Sequence, residues 1–105
     1  MAKSYSIIFT TAPNKKEAEK IAKILVNKKL VACVQMFPIK SFYVWKKKTG
    51  KDNEILILIK SQSDKFLQIQ KMIKENHSYE IAEIIEIKIN KGSKDYLAWI
   101  DSCLK

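Results

Sequence analysis

The chain has 105 residues, 47% of them apolar, with 20 basic against 11 acidic side chains and a net charge of +9. That length and apolar content indicate one globular domain over residues 1–105 and argue against a disordered chain. Every basic residue is lysine, so the arginine fork that reads guanine edges in DNA is missing. The lysines are spread along the whole chain, as on a solvated surface rather than a binding stripe.

Taken in chain order, "SYSIIFTT" (4–11) predicts a first strand. A helix follows in "APNKKEAEKIAKILVNKK": Ala18, Ile21, Ala22, Leu25 and Val26 recur at helical spacing, and Asn14 with Glu17 forms a capping-box-like start. Residues 30–46, "LVACVQMFPIKSFYVWK", read as a long strand. Pro38 within it marks an edge or a bulge. Alternation places Tyr43 and Trp45 on one face, Phe42 and Val44 on the other. "KKKTGKDN" (46–53) reads as a turn with Gly50, Asp52 and Asn53 as turn formers. "EILILIKS" (54–61) is a third strand. Ser63 or Asp64 opens a second helix with the stripe Phe66, Ile69, Ile73, ending near Asn76. In "AEIIEIKIN" (82–90), Ile85, Ile87 and Ile89 alternate with Glu86, Lys88 and Asn90. Gly92 breaks the pattern, and Ser93 opens a last helix with Tyr96, Trp99, Ile100 and Cys103 on one stripe.

The order β-α-β-β-α-β plus a C-terminal helix predicts an α+β fold, the ferredoxin-like antiparallel sheet with two helices on one face. Such a sheet normally alternates, with one face wet. "ILILI" (55–59) and "FYVW" (42–45) are apolar on both faces. Something therefore covers the second face: in part the C-terminal helix, and for the rest a second copy of the chain, which predicts a homo-oligomer.

No stretch approaches the ~20 apolar residues of a membrane span, and the apolar run near the start is too short for a signal-peptide core. Cys33 and Cys103 match no CxxC spacing and are expected as reduced, buried thiols. A cytoplasmic location is expected, with no membrane partner. No nucleic-acid partner is expected either, because RNA-binding sheets of this type carry stacking aromatics where this chain has "ILILI".

The segment "ENHSYEIAEIIEI" (75–87) holds the only histidine, His77, followed by Tyr79, Glu80, Glu83 and Glu86. Imidazole and carboxylate suit borderline divalent ions such as Cu²⁺ and Zn²⁺. Cys33 would add a soft sulfur if the fold brought it near. The plain alternative is a histidine that ends a helix by bonding its last carbonyls. No glycine-rich phosphate loop and no Ser/His/Asp order completes a catalytic mechanism, so no enzyme activity is expected.

Together these residues resemble the CutA divalent-cation tolerance proteins. The likeness runs from about Ile7 to Ile100. It rests on "LVACV" with Cys33, "PIKSFYVWK" with Tyr43, Trp45 and Lys46, "IKS" with Lys60, "HSYE" with His77, Tyr79 and Glu80, then Glu83, and "YLAW" with Tyr96 and Trp99. The chain departs from the family pattern at Ser78 and Ala82, where prolines are usual, at Lys47, where glycine is common, and at Gln35, where asparagine is common. The resemblance implies a PII-like homotrimer that uses the long hairpin between subunits, a role in tolerance of copper and other divalent cations, and a metal set drawn from Cys33, His77, Glu80 and Glu83. Tyr43, Trp45, Lys60, Tyr79 and Trp99 are then expected at a subunit interface or cleft. Two other roles fit the same fold: a sensor binding a small anion between subunits, and a structural scaffold.

Overall fold

A computed structural model describes residues 3–105; residues 1 and 2 of the expected domain lie outside it. Its elements are β1 (Tyr5–Ala12), α1 (Lys15–Asn27), β2 (Cys33–Trp45), β3 (Lys48–Gln62), α2 (Phe66–Glu75), β4 (Ile84–Ile89) and α3 (Lys94–Cys103). The four strands form one antiparallel sheet in the order β2-β3-β1-β4, the expected ferredoxin-like topology.

Helices α1 and α2 pack on one face. Ala18, Ile21 and Leu25 of α1 and Ile69 and Ile73 of α2 close over Ile8, Ile57 and Ile59, all fully or almost fully buried. Asn14 caps α1 by accepting from the Glu17 N–H at 2.9 Å. Ser63 does not cap α2. It starts a 3-10 turn, Ser63–Lys65, and its hydroxyl bonds to that of Ser6 instead. Asn76 closes the far end of α2, donating from its side chain to Met72 C=O at 2.8 Å.

The opposite sheet face carries Ile7 and Phe9, Leu56 and Leu58, Phe37, and Ile85 and Ile87, as the strand registers dictate. Helix α3 covers one end of it. Asp101 of α3 accepts from Tyr5 Oη at 2.8 Å and from Gln62 Nε2 at 2.6 Å, and Lys60 Nζ sits 5.6 Å from the Tyr96 ring centre. The remainder stays open in one chain: Phe37, Ile85 and Ile87 are each about half exposed, at 48%, 50% and 50%.

Two elements differ from expectation. Strand β2 begins at Cys33 rather than residue 30, because Leu30 and Val31 are buried at the corner where Ser61 Oγ donates to Leu30 C=O. Strand β3 begins at Lys48 rather than residue 54. The hairpin turns on two residues only, Lys46 (φ 50) and Lys47 (φ 67). Two successive positive φ values give the type I′ twist that matches paired strands. The polar run 48–53 therefore pairs: Gly50 faces Tyr43, Asp52 faces Ser41 and Asn53 faces Lys40. Pro38 lies on β2, the edge strand, with unbroken register around it, so it marks an edge and no bulge.

The left-handed region costs a side-chain-bearing residue roughly 1 kcal/mol or more relative to glycine or asparagine. The Lys46→Asn/Lys47→Gly variant is expected to raise unfolding stability by about 1–2 kcal/mol, read as a higher denaturant midpoint at unchanged slope. Thr10 Oγ1, buried in the core without a partner, gives a second expectation. Thr10→Val should be stabilising by about 1 kcal/mol, since an unsatisfied buried hydroxyl keeps its desolvation cost; a lower thermal midpoint would contradict it.

Candidate functional site

The loop from α2 to β4 carries His77 across the end of β1. The imidazole is buried, with 1% of its side chain exposed. Tyr79 N–H donates to Nδ1 at 3.1 Å, and Nε2 lies 2.6 Å from Thr11 C=O. Since Nδ1 accepts, Nε2 carries the proton and donates to the carbonyl. Both ring nitrogens are thus used within the chain. His77 does more than end a helix: it ties its loop to the sheet.

Glu17 completes this clamp. Its Oε2 accepts from Ser78 N–H at 3.0 Å and Ser78 Oγ at 3.1 Å, and stands 3.4 Å from His77 Nδ1. The spacing Asn14–Glu17 suggested that Glu17 folds back on the helix cap. Instead its carboxylate reaches the loop 61 positions along the chain.

Beyond His77, the Tyr79 ring lies tilted against the imidazole at 4.8 Å between ring centres and extends its hydroxyl to Glu54 Oε1 at 2.7 Å. Glu54 belongs to the open face of β3, as do Asp52 and Gly50. Tyr43 donates to Asp52, and its ring lies over Gly50, where an added Cβ would come within 2.7 Å of it. Burial, the bond to Glu54 and the nearby carboxylates push the Tyr79 phenol well above its ordinary value of 10.0. The bond to Asp52 raises Tyr43 likewise.

The candidate metal residues are not gathered by one chain. Glu80 and Glu83 are exposed. Cys33 pairs with Lys60 while His77 bonds to Thr11, whose β3 partner is Leu56. That is four residues along the strand, roughly 13 Å. Among the described residues no three His, Cys, Asp or Glu side chains converge as a metal cluster. Cys33 and Cys103 are free thiols, half-buried rather than buried as expected, because Cys33 lies on the open sheet face. Trp45 and Trp99 are partly exposed, and Lys60 lies against Tyr96 under α3. The sequence reads Glu17 only as a cap partner and Asp52 only as a turn former, and Glu54 goes unmarked. Each meets a partner brought near by the fold or the hairpin register, and no local spacing announces it.

The fold and this clamp describe a small ferredoxin-like α+β protein whose polar residues brace a loop and a hairpin. A family model described as CutA1 divalent ion tolerance protein matches residues 6–103, and the chain belongs to that family. The divalent-cation tolerance protein CutA of Archaeoglobus fulgidus is 43% identical over 96% of this chain and 99% of its own. Mouse protein CutA is 41% identical over 92% of this chain; the chain spans about half (55%) of that relative's length. The solved A. fulgidus structure, described as a periplasmic divalent cation tolerance protein, superposes with a TM-score of 0.94 at 42% identity, covering 96% and 99% of the two chains. The Thermus thermophilus divalent cation tolerance protein gives 0.93 at 31% identity, covering 96% and 99%. No helix among the described residues is long and apolar enough to cross a membrane.

A phenol held protonated in the fold stabilises below the unfolded value, and that stability is lost as pH rises past it. The protein is therefore expected to lose stability above its tyrosines' ordinary value of 10.0. Tyr79→Phe should flatten this alkaline fall while lowering stability at pH 7 by about 1–3 kcal/mol, the cost of a hydrogen bond to a charged group. Urea midpoints measured from pH 7 to 11 check both effects.

Proposed function

We propose that the chain acts in divalent-cation tolerance as a homotrimer in which the open sheet face is the buried interface. The observation that carries the reading is the half-exposed apolar surface of Phe37, Ile85 and Ile87 on the face away from α1 and α2. A monomer leaves that surface in water, which costs about 25 cal/mol per Å² of apolar area. The clamp of His77, Glu17 and Tyr79 then serves assembly: it fixes the loop and the base of the hairpin at the margin of that face. Tyr43, Trp45 and Trp99 are placed at the interface or its clefts in this reading.

Divalent ions such as Cu²⁺ or Zn²⁺ are the proposed cargo, bound weakly. Among the described residues the side chains of Cys33, Glu80 and Glu83 have no hydrogen-bond partner, and they are the groups available to an ion once subunits meet. His77 would join them only by giving up one of its two internal bonds. Two free thiols support a reducing cytoplasm as the site of action.

Sedimentation equilibrium at micromolar concentration is expected to give three times the 12.2 kDa chain mass, and Ile87→Lys is expected to give monomer or unfolded chain. A stable wild-type monomer overturns the assembly. Isothermal titration with Cu²⁺ is expected to show weak binding that Glu80→Gln/Glu83→Gln reduces by about tenfold, as loss of two carboxylate ligands implies. Unchanged binding in that variant removes the glutamates from the site.

A further inference from the structure

On the helix side, away from the open sheet face, a groove of about 920 Å³ runs between the end of α1, the flank of α2 and residue 105. Five lysines line it: Lys28, Lys29, Lys65, Lys71 and Lys105. In sequence they are scattered, but three backbone features gather them. The N–H of Lys29 bonds to Val26 C=O and that of Leu30 to Leu25 C=O, a helix-ending turn that presents Lys28 and Lys29. The 3-10 turn Ser63–Lys65 sets Lys65 ahead of Lys71 on α2. The N–H of Lys105 bonds to Lys29 C=O at 3.1 Å and brings residue 105 across.

No carboxylate side chain lines the groove. None of the five ammonium groups pairs with a side-chain carboxylate among the described residues, and Lys65 Nζ lies 3.3 Å from the main-chain oxygen of Lys105. Lys29 also stands at φ 56, a position that favours glycine. Five like charges thus border one groove, one of them at a backbone position where glycine costs less.

We propose that this groove is a binding site for an oligophosphate chain, the group shared by inorganic polyphosphate and nucleoside triphosphates. Lysine ammonium groups are compact point charges with rotatable donors. They suit phosphate oxygens in varied geometry, whereas planar carboxylate recognition favours arginine. Several ammonium groups along one groove match the repeated charges of a phosphate chain better than a single anion. Leu30 and Met72 supply an apolar floor on which a base could rest. The site is separate from the sheet face proposed for assembly, so it stands whether or not the ion-tolerance reading does.

The test is isothermal titration of the full chain with inorganic tripolyphosphate at low salt. Two variants of equal net charge are compared: Lys29→Gly/Lys71→Gln in the groove, and Lys20→Gln/Lys23→Gln on α1 outside it. The wild type is expected to bind one tripolyphosphate per chain. The groove variant should lose about tenfold or more in affinity, as removal of charge-assisted contacts implies, and the α1 variant less than twofold. Lys29→Gly removes the positive-φ cost, so an unchanged or raised melting point excludes misfolding as the cause. Adenosine triphosphate bound as tightly as tripolyphosphate identifies the phosphate chain alone as the group read. Tighter binding, lost in Met72→Ala, identifies a nucleotide. No saturable binding at millimolar ligand, or equal loss in both variants, overturns the site.

Discussion

From Ile55 to Ile59 strand β3 is apolar on both faces, and the rest of the molecule answers to that constraint. Ile57 and Ile59 point into the core under α1 and α2, while Leu56 and Leu58 point the other way. A half-wet antiparallel sheet alternates; this one does not. Helix α3 lies across only the Tyr5–Lys60–Gln62 end, held by Asp101. The uncovered part is bordered by the hairpin on one side and by β4 on the other. The Tyr43–Asp52 bridge and the His77–Tyr79–Glu54 brace lie along that border.

The hairpin projects far enough to give the chain a long axis of 46 Å against 26 and 22 Å. Beyond Ile39–Glu54 it has no helix beneath it, so its pairing must hold by other means. Tyr43 bridges the strands by covering Gly50 and bonding to Asp52, a cross-strand contact of the type that stabilises sheets by a few tenths of a kcal/mol to about 1 kcal/mol. Tyr79 then ties the base of the hairpin to the α2–β4 loop through Glu54, and His77 ties that loop to β1. These are one continuous run of contacts from the sheet to the hairpin. It explains why an imidazole and several carboxylates sit close together without forming a ligand set: their lone pairs are directed at protein donors.

Much of this was legible in the sequence, and the reason is periodicity. The order of elements, the Asn14 cap and the two-faced third strand all follow from local pattern, while Pro38 pointed to an edge or a bulge and the sheet order decided for the edge. The hairpin length was not legible. Turn-forming residues at 50–53 outweighed Lys46 and Lys47, which carry no turn signature and adopt positive φ only because the strands on either side impose it. Glu17 was hidden for the opposite reason. A satisfactory local role as a cap partner was available three residues away, and nothing in the spacing showed that its carboxylate would be used by Ser78. The grouping of the lysines was hidden in the same way, since only the fold brings residues 28, 29, 65, 71 and 105 together.

Ser78 shows what a departure from the family motif can mean physically. A proline there would fix φ and stiffen the loop, but it has no N–H to donate. With serine, the backbone N–H and the hydroxyl both bond to one oxygen of Glu17. Rigidity that proline would supply through the chain is supplied here through a carboxylate anchored on α1. Hydrogen bonds to a charged group contribute about 1.5–3 kcal/mol, comparable to or larger than the ~0.4–1 kcal/mol of a well-placed proline. The loop is then coupled to the first helix as well as to the sheet. Ala82, the other missing proline, has no such substitute, and nothing in the structure explains it. The brace on this loop therefore acts at its start, around residues 77–79, and leaves Glu80 and Glu83 exposed at its far side.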